Sequence, residues 1–294
     1  MQGMLRKRII TAVVLLAGLL AALFFLPALL WIVFCALICA LAAWEWGGLA
    51  GWGGKARIVY GIGLGCLCLV PGFFQQFFDF SLQQALQGML FSLFLLAGVF
   101  WLLVVPLWLW RKWPLHNGTA ALVGVIVLVP PTLIFMVLRN FFGPLNLLAV
   151  CALVWVADIA AYFSGRTFGG KKLAPNISPG KTWAGAVGAV IGVLVYCNVL
   201  ISFLVGWPKI QYVLLFQPVF VGLAVWSIIG DLFESLLKRQ ADVKDSSNLL
   251  PGHGGILDRV DSLTSTLALI GFVVCLMAIF VLVSYPSSFQ FNHP

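Results

Sequence analysis

Six of the nine acidic residues of this chain fall between Asp231 and Asp261, in a sequence that is otherwise overwhelmingly apolar. The run comprises Asp231-Leu-Phe-Glu-Ser-Leu-Leu-Lys-Arg239, Val243-Lys-Asp245, Pro251-Gly-His-Gly-Gly255 and Asp258-Arg-Val-Asp261. On a helix over 228–239, Asp231, Ser235 and Lys238 share one face, and Glu234 sits one turn before Lys238. Asp258 and Asp261 share a face at the start of the last apolar segment, near a helix N-terminus. Gly252, Gly254 and Gly255 free the intervening backbone to approach a ligand through its N–H groups. Carboxylates on both sides of a loop, with Lys238, Arg239, Lys244 and Arg259 around them, suit a divalent ion bridging phosphate oxygens. A cluster that only set membrane topology would need cations, not this many acids.

A second block lies upstream, Asp158-Ile-Ala-Ala-Tyr-Phe-Ser-Gly-Arg166 followed by Leu173-Ala-Pro-Asn-Ile-Ser-Pro-Gly-Lys-Thr-Trp183. Ser178-Pro-Gly-Lys-Thr182 reads as a phosphate cradle with Lys181 as its charge donor, and Ser178 and Thr182 as hydroxyl contacts. It lacks the upstream glycine of a P-loop, which excludes that class of ATPase. Asp158 lies inside an apolar segment, where an acid faces a bundle interior or a wet cavity. It either helps to bind metal or nucleotide or is bonded to a neighbouring helix.

The elements that must position these groups are transmembrane. Of 294 residues, 62% are hydrophobic and 9% charged, and the mean hydropathy is +1.08. These values describe an integral membrane protein. Nine spans follow from the apolar runs and their breaks: about 9–25, 28–44, 58–75, 88–110, 119–138, 145–165, 183–206, 212–239 and 260–284. The first is expected to be retained, because no small-residue cleavage site ends it. Pro130-Pro131 is expected to kink or unwind the fifth span. Gly185, Gly188 and Gly192 suit close helix packing. With the N-terminus in the cytoplasm and the C-terminus outside, fifteen cations fall in inside loops, and only Arg139 and Lys209 fall outside. Both motif loops then face the cytoplasm, where nucleoside triphosphates are found. The fold expected is all-α and polytopic, with N-terminal helices over 1–144 and a catalytic region over 145–294.

Other classes fall away. The seven cysteines all lie in apolar runs without metal-site spacing, and read as small hydrophobes. The net charge of +8 comes from cations punctuating apolar spans, so no nucleic-acid surface forms. Anionic lipid headgroups and nucleotide phosphates are the expected partners. Tryptophan and phenylalanine are expected mainly to face lipid and anchor the interfaces, and the tail from Tyr285 to Pro294 to be unstructured.

Ser235-x-x-Lys-Arg239, Lys244-Asp245 and Pro251-Gly-His-Gly-Gly-Ile-Leu-Asp-Arg-Val-Asp261 together resemble the signature of the CDP-diacylglycerol synthases, or phosphatidate cytidylyltransferases. The upstream block resembles the same family's preceding loop, so the likeness covers roughly the C-terminal half. Trp44-Glu-Trp46 is similar to a tripeptide common in bacterial members. Ala184 stands where many members carry Glu or Gln, which removes any polar role there. The resemblance implies transfer of the cytidylyl group from CTP to phosphatidic acid, giving CDP-diacylglycerol and pyrophosphate, in a bacterial inner membrane.

It also implies Mg2+, as one or two divalent ions, with a monovalent ion such as K+ left open. Asp231 and Asp258 match the family's acidic positions as metal ligands, with Asp261 a third ligand, a partner to one, or a helix-start acid. Lys238, Arg239, Lys244 and Arg259 are implied contacts of the triphosphate and phosphatidate. Ser235 bonds either a phosphate oxygen or its own helix backbone, and Asp245 binds metal or orients Lys244. His253 is a base, a phosphate donor or a loop-shaping residue; an ionised phosphate nucleophile needs no base. Gly254 and Gly255 bring N–H groups to substrate, membrane lipids surround the chain, and a homodimer is left open. The competing class is an ion-coupled transporter or lipid flippase, which does not account for acids, cations and glycines concentrated on one pair of loops. A CDP-alcohol phosphotransferase would carry Asp-Gly-x-x-Ala-Arg, which is absent.

Overall fold

The computed structural model describes residues 2–77, 80–205 and 210–284; Lys209 and the tail from Tyr285 to Pro294 lie outside the described residues. Ten α-helices make up nearly all of it. They are α1 (Gln2–Phe25), α2 (Ala28–Leu49), α3 (Gly54–Phe77) and α4 (Phe80–Val99), which runs through a π-helical turn (Phe100–Val104) into α5 (Val105–Arg111). Then come α6 (Asn117–Phe142), α7 (Pro144–Phe168), α8 (Trp183–Val205), α9 (Ile210–Gln240) and α10 (Leu257–Ser284). Among the described residues, eight helices are long and apolar enough to cross a membrane, α4 and α5 counting as one. The first expected span corresponds to a shorter apolar stretch, Ile9–Phe25 of α1. The chain is an all-α polytopic membrane protein.

The loop expected over 166–182 holds a short hairpin. Gly169 (φ 59°) and Gly170 (φ 85°) end α7 in a backbone region that side-chain-bearing residues avoid. The chain then forms an antiparallel hairpin of β1 (Lys172–Ala174) and β2 (Ser178–Thr182). The helix is not unwound at Pro130 and Pro131, since α6 runs as one helix through both. Both prolines are buried, so packing holds the helix where intrinsic preference would break it. The π turn ahead of α5 was not legible as such.

Between membrane helices, close packing and polar contacts replace the hydrophobic effect as the source of cohesion. The three α8 glycines supply this against α7. A methyl group at Gly185 would lie 2.9 Å from the Ala161 carbonyl oxygen, and one at Gly192 2.6 Å from Ala160 Cβ. Four tryptophans depart from the expectation of lipid-facing bulk. Trp31, Trp46, Trp101 and Trp108 are buried, and Trp46 Nε1 donates to the Ala120 carbonyl at 2.9 Å. The main core takes Trp31, Cys39 and Trp46 from the N-terminal helices, and Phe233, Leu237 and Leu257 from the motif helices.

Contacts between helix ends sort the loops to the two ends of the bundle. Thr11 Oγ1, in the first turns of α1, donates to the Pro251 carbonyl at 3.1 Å. Arg57, at the start of α3, stacks its guanidinium on Trp44 at the end of α2. Gln240, ending α9, donates to the Lys112 and Trp113 carbonyls after α5, and Arg239 approaches the Ile177 carbonyl of the hairpin. At the other end, Arg139 of α6 donates to the Leu23 and Leu26 carbonyls beside the α1–α2 turn. The cation-bearing loops therefore gather with both motif loops, and Arg139 stands away from them.

Candidate active site

The site is built where the last three turns of α9 meet the start of α10. Gly230 makes that meeting close, since a methyl group there would lie 2.7 Å from the Asp261 carbonyl oxygen. Asp231 follows at once. Its Oδ1 accepts from Ser235 Oγ at 3.1 Å, one turn on, and its Oδ2 pairs with Lys181 Nζ at 2.6 Å. Ser235 thus bonds its neighbour's carboxylate rather than the helix backbone. Lys181 also donates to the Ile228 carbonyl at 3.4 Å, so the hairpin strand β2 lies over this stretch of α9. Asp158, on α7, is close enough to Asp231 and Lys181 to feel both charges, and it is exposed.

One turn further along α9, Lys238 Nζ stands 2.6 Å from Asp258 Oδ1 and 3.3 Å from Glu234 Oε2. Asp258 Oδ2 accepts three more donors: Ser246 N at 2.9 Å, Ser246 Oγ at 2.9 Å and Gly255 N at 2.7 Å. The acid at the head of α10 therefore ties the signature loop to α9. Asp261 Oδ1 accepts the N–H of Ser262 at 2.8 Å, and its charge lies close enough to Asp231 and Glu234 to repel both. Glu234 is buried, with Lys238 as its charge partner and Asp261 close beside it.

The loop itself is a tight turn. Leu250 and Gly254 bridge, with Leu250 N donating to the Gly254 carbonyl at 2.8 Å. Gly254 has φ +75°, and a methyl group there would lie 2.5 Å from Asp258 Oδ2. The glycines thus make room for a carboxylate of the chain itself, and the Gly255 N–H is spent on Asp258. His253 Nδ1 is buried without a partner. Lys244, Asp245 and Arg259 are exposed at the rim of the same loop.

In the second loop, Lys181 reaches the site while its neighbours shape the turn. Thr182 Oγ1 accepts the Gly185 N–H at 3.1 Å, which caps α8. Ser178 is half-buried in β2, paired with Ala174. Arg239 lies at 3.5 Å from the Ile177 and Val243 carbonyls, joining the hairpin to the end of α9.

The residue that motif reading passed over is Glu45. It is fully buried at the end of α2, and its carboxylate accepts from Ser246 Oγ (3.0 Å), Ser247 Oγ (2.6 Å), Ile256 N (3.0 Å) and Leu257 N (2.7 Å). Its signal was present, since an acid within an apolar helix marks a functional position by the reasoning that singled out Asp158.

Fold and site together define a polytopic membrane protein with an ionised, cation-rich centre between two helix ends, equipped for phosphate-bearing substrates. Residues 6–280 match the family model described as the cytidylyltransferase family. The chain is 38% identical over 281 residues to the phosphatidate cytidylyltransferase of Pseudomonas aeruginosa, covering 90% of this chain and 94% of that one. It is 36% identical over 278 residues to that of Haemophilus influenzae, covering 89% and 96%. With that of Brucella suis it shares 49% identity over 133 residues, 44% of this chain and 46% of that one. The chain belongs to the cytidylyltransferase family. Nothing in these matches favours a transporter.

Proposed function

We propose that this protein joins phosphatidate to CTP. A phosphatidate oxygen attacks the α-phosphorus of CTP, a P–O bond forms there, the bond to the β-phosphate bridge breaks, and pyrophosphate leaves with CDP-diacylglycerol as product. The observation that supports this most directly is the pair of ion pairs, Lys181–Asp231 and Lys238–Asp258, held at one end of the helical bundle around Glu234 and Asp261. Two anions must be brought together, so the chemistry needs positioning and neutralisation of charge more than proton transfer. Lys181 and Lys238 would each exchange a carboxylate for a phosphate oxygen, while Arg239, Lys244 and Arg259 gather anionic substrate at the rim. His253 has no proton to remove from an ionised phosphate.

The donor set fits a hard divalent cation. Mg2+ takes oxygen ligands, needs only one or two carboxylates, and completes its shell with substrate phosphates and water. Among the described residues no three acidic, histidine or cysteine groups converge as a ready-made cage, which accords with that mode of binding. Asp231 and Asp261 are the carboxylates that would hold it, with Glu234 behind them. Asp258, with four donors of its own, serves to hold the loop and Lys238. When bound, the ion supplies neutralisation of developing charge on the transferred phosphate.

Cations gathered at the site's end of the bundle support a cytoplasmic active site in a bacterial inner membrane. The test is transfer of labelled CTP into chloroform-extractable lipid by purified protein in detergent, with phosphatidate and Mg2+. Lipid-borne label that requires both is expected. No label from folded protein across several lipids and metals overturns the reading.

A further inference from the structure

Glu45 lies outside both motif blocks, in a helix that carries no other acid. Its carboxylate nevertheless takes the N–H groups of Ile256 and Leu257, which open α10. Those are helix-terminal donors without intrahelical partners, and an anion there also opposes the positive end of the helix. Asp258 is the next residue and Asp261 follows in the same turn, so Glu45 sets the position and direction of the helix start that carries them.

A second connection is shorter still. Ser246 Oγ stands 3.0 Å from Glu45 Oε2 and 2.9 Å from Asp258 Oδ2. A hydroxyl has one proton, so it serves one carboxylate at a time and couples the places of both. Asp258 in turn holds Lys238. The contacts run unbroken from α2 to α9 as Glu45, Ser246, Asp258 and Lys238. Gly255 is small for this reason: a methyl group there would press on Glu45 Cδ at 2.5 Å and on Ser246 Oγ.

We propose that Glu45 is a positioning residue for the transfer, fixing where Asp258 and Lys238 stand without itself touching substrate. The inference rests on the cytidylyl-transfer reading above. An amide at position 45 would present a donor where an N–H or hydroxyl now donates, and the loop would shift. Misplacement of a reacting group by about 1 Å costs on the order of 100-fold in rate.

The experiment compares Glu45→Gln, Ser246→Ala and their combination with the wild type, as kcat and KM for CTP and phosphatidate per mole of folded protein. Folded protein is counted by size exclusion, and thermal unfolding is followed in parallel. Expected is a fall in kcat of about 30- to 100-fold for Glu45→Gln and about tenfold for Ser246→Ala, with both KM values within about threefold. The combination should fall no further than about the worse single change, because both act along one chain of contacts. Wild-type kcat in the folded fraction with only a lower melting temperature would overturn the proposal, as would single effects that simply multiply. Should Glu45→Gln fail to fold, Ser246→Ala decides alone, since it leaves Ser247, Ile256 and Leu257 bonded to Glu45; an unchanged kcat then overturns it. An inactive but folded wild type is a separate result, which would remove the transfer reading on which the inference rests.

Discussion

Lys238 and Asp258 stand 2.6 Å apart across the junction of α9 and α10, and both side chains are largely withdrawn from solvent. The second oxygen of Asp258 holds Ser246 and Gly255 of the signature loop, so one carboxylate joins helix, loop and cation. Removing one partner of a buried pair costs about 3–5 kcal/mol, and here Glu234, 3.3 Å from Lys238, offsets part of that loss. Asp258→Asn is therefore expected to abolish lipid labelling and to lower stability by about 3 kcal/mol. Denaturant unfolding in detergent measures the second effect. Lys238→Met combined with Asp258→Leu should cost less than the two single losses added, because the two side chains are in direct contact.

Gly254 and Gly255 give a steric prediction that does not depend on the reaction. Alanine at Gly255 must displace Ser246 or Glu45, and alanine at Gly254 also meets a backbone at φ +75°. Each should destabilise by about 1–3 kcal/mol, as overpacking does. Gly63 in α3 has open space around it, so Gly63→Ala should cause no loss. Melting temperatures of the three variants check this, and an unaffected Gly255→Ala would contradict the packing of the loop on Glu45.

Much of this arrangement was legible from residue types. Because in lipid the backbone must be satisfied within each span, apolar runs and their breaks located the helices, most ends to within a few residues, while α1 and α4 begin well ahead of their apolar stretches. The face of Asp231, Ser235 and Lys238 followed from helical periodicity alone. Local rules failed where tertiary contacts decide. The hairpin over 172–182 has too few residues for a period, and its strands exist because Gly169 and Gly170 turn the chain back over α9. Within a buried environment α6 continues as a helix through Pro130 and Pro131. Glu45 lies some 200 residues from the loop that it holds, with contact separations of 201 to 212 positions, and no spacing rule reaches so far.

Lys181 makes a prediction about substrate affinity. Its ammonium is shared between the Asp231 carboxylate and the Ile228 carbonyl, and it comes from a hairpin rather than from a membrane helix. A charge-assisted contact to phosphate contributes about 1.5–3 kcal/mol, equivalent to about 10- to 100-fold. Lys181→Met should raise the KM for CTP by that factor, and Lys181→Arg should recover part of it. Initial rates over a range of CTP concentrations decide the point. A normal KM in Lys181→Met would confine Lys181 to fastening the hairpin.

The carboxylates differ in what they already bind, and metal dependence should divide along the same line. Asp231 and Asp261 lie close enough to repel each other, beside a buried Glu234 paired with Lys238. Asp258 is engaged by Lys238, Ser246 and Gly255. Chelation with EDTA should stop the reaction, and added Mg2+ should restore it. Asp231→Asn and Asp261→Asn should then need more Mg2+ for half-maximal rate, by about tenfold or more, since each removes a charged oxygen ligand. Asp258→Asn should stay inactive at any Mg2+ concentration, because its defect lies in the loop and in the placing of Lys238. Rescue of Asp258→Asn by excess Mg2+ would make Asp258 a ligand instead, and would require Lys238 to release it when substrate binds.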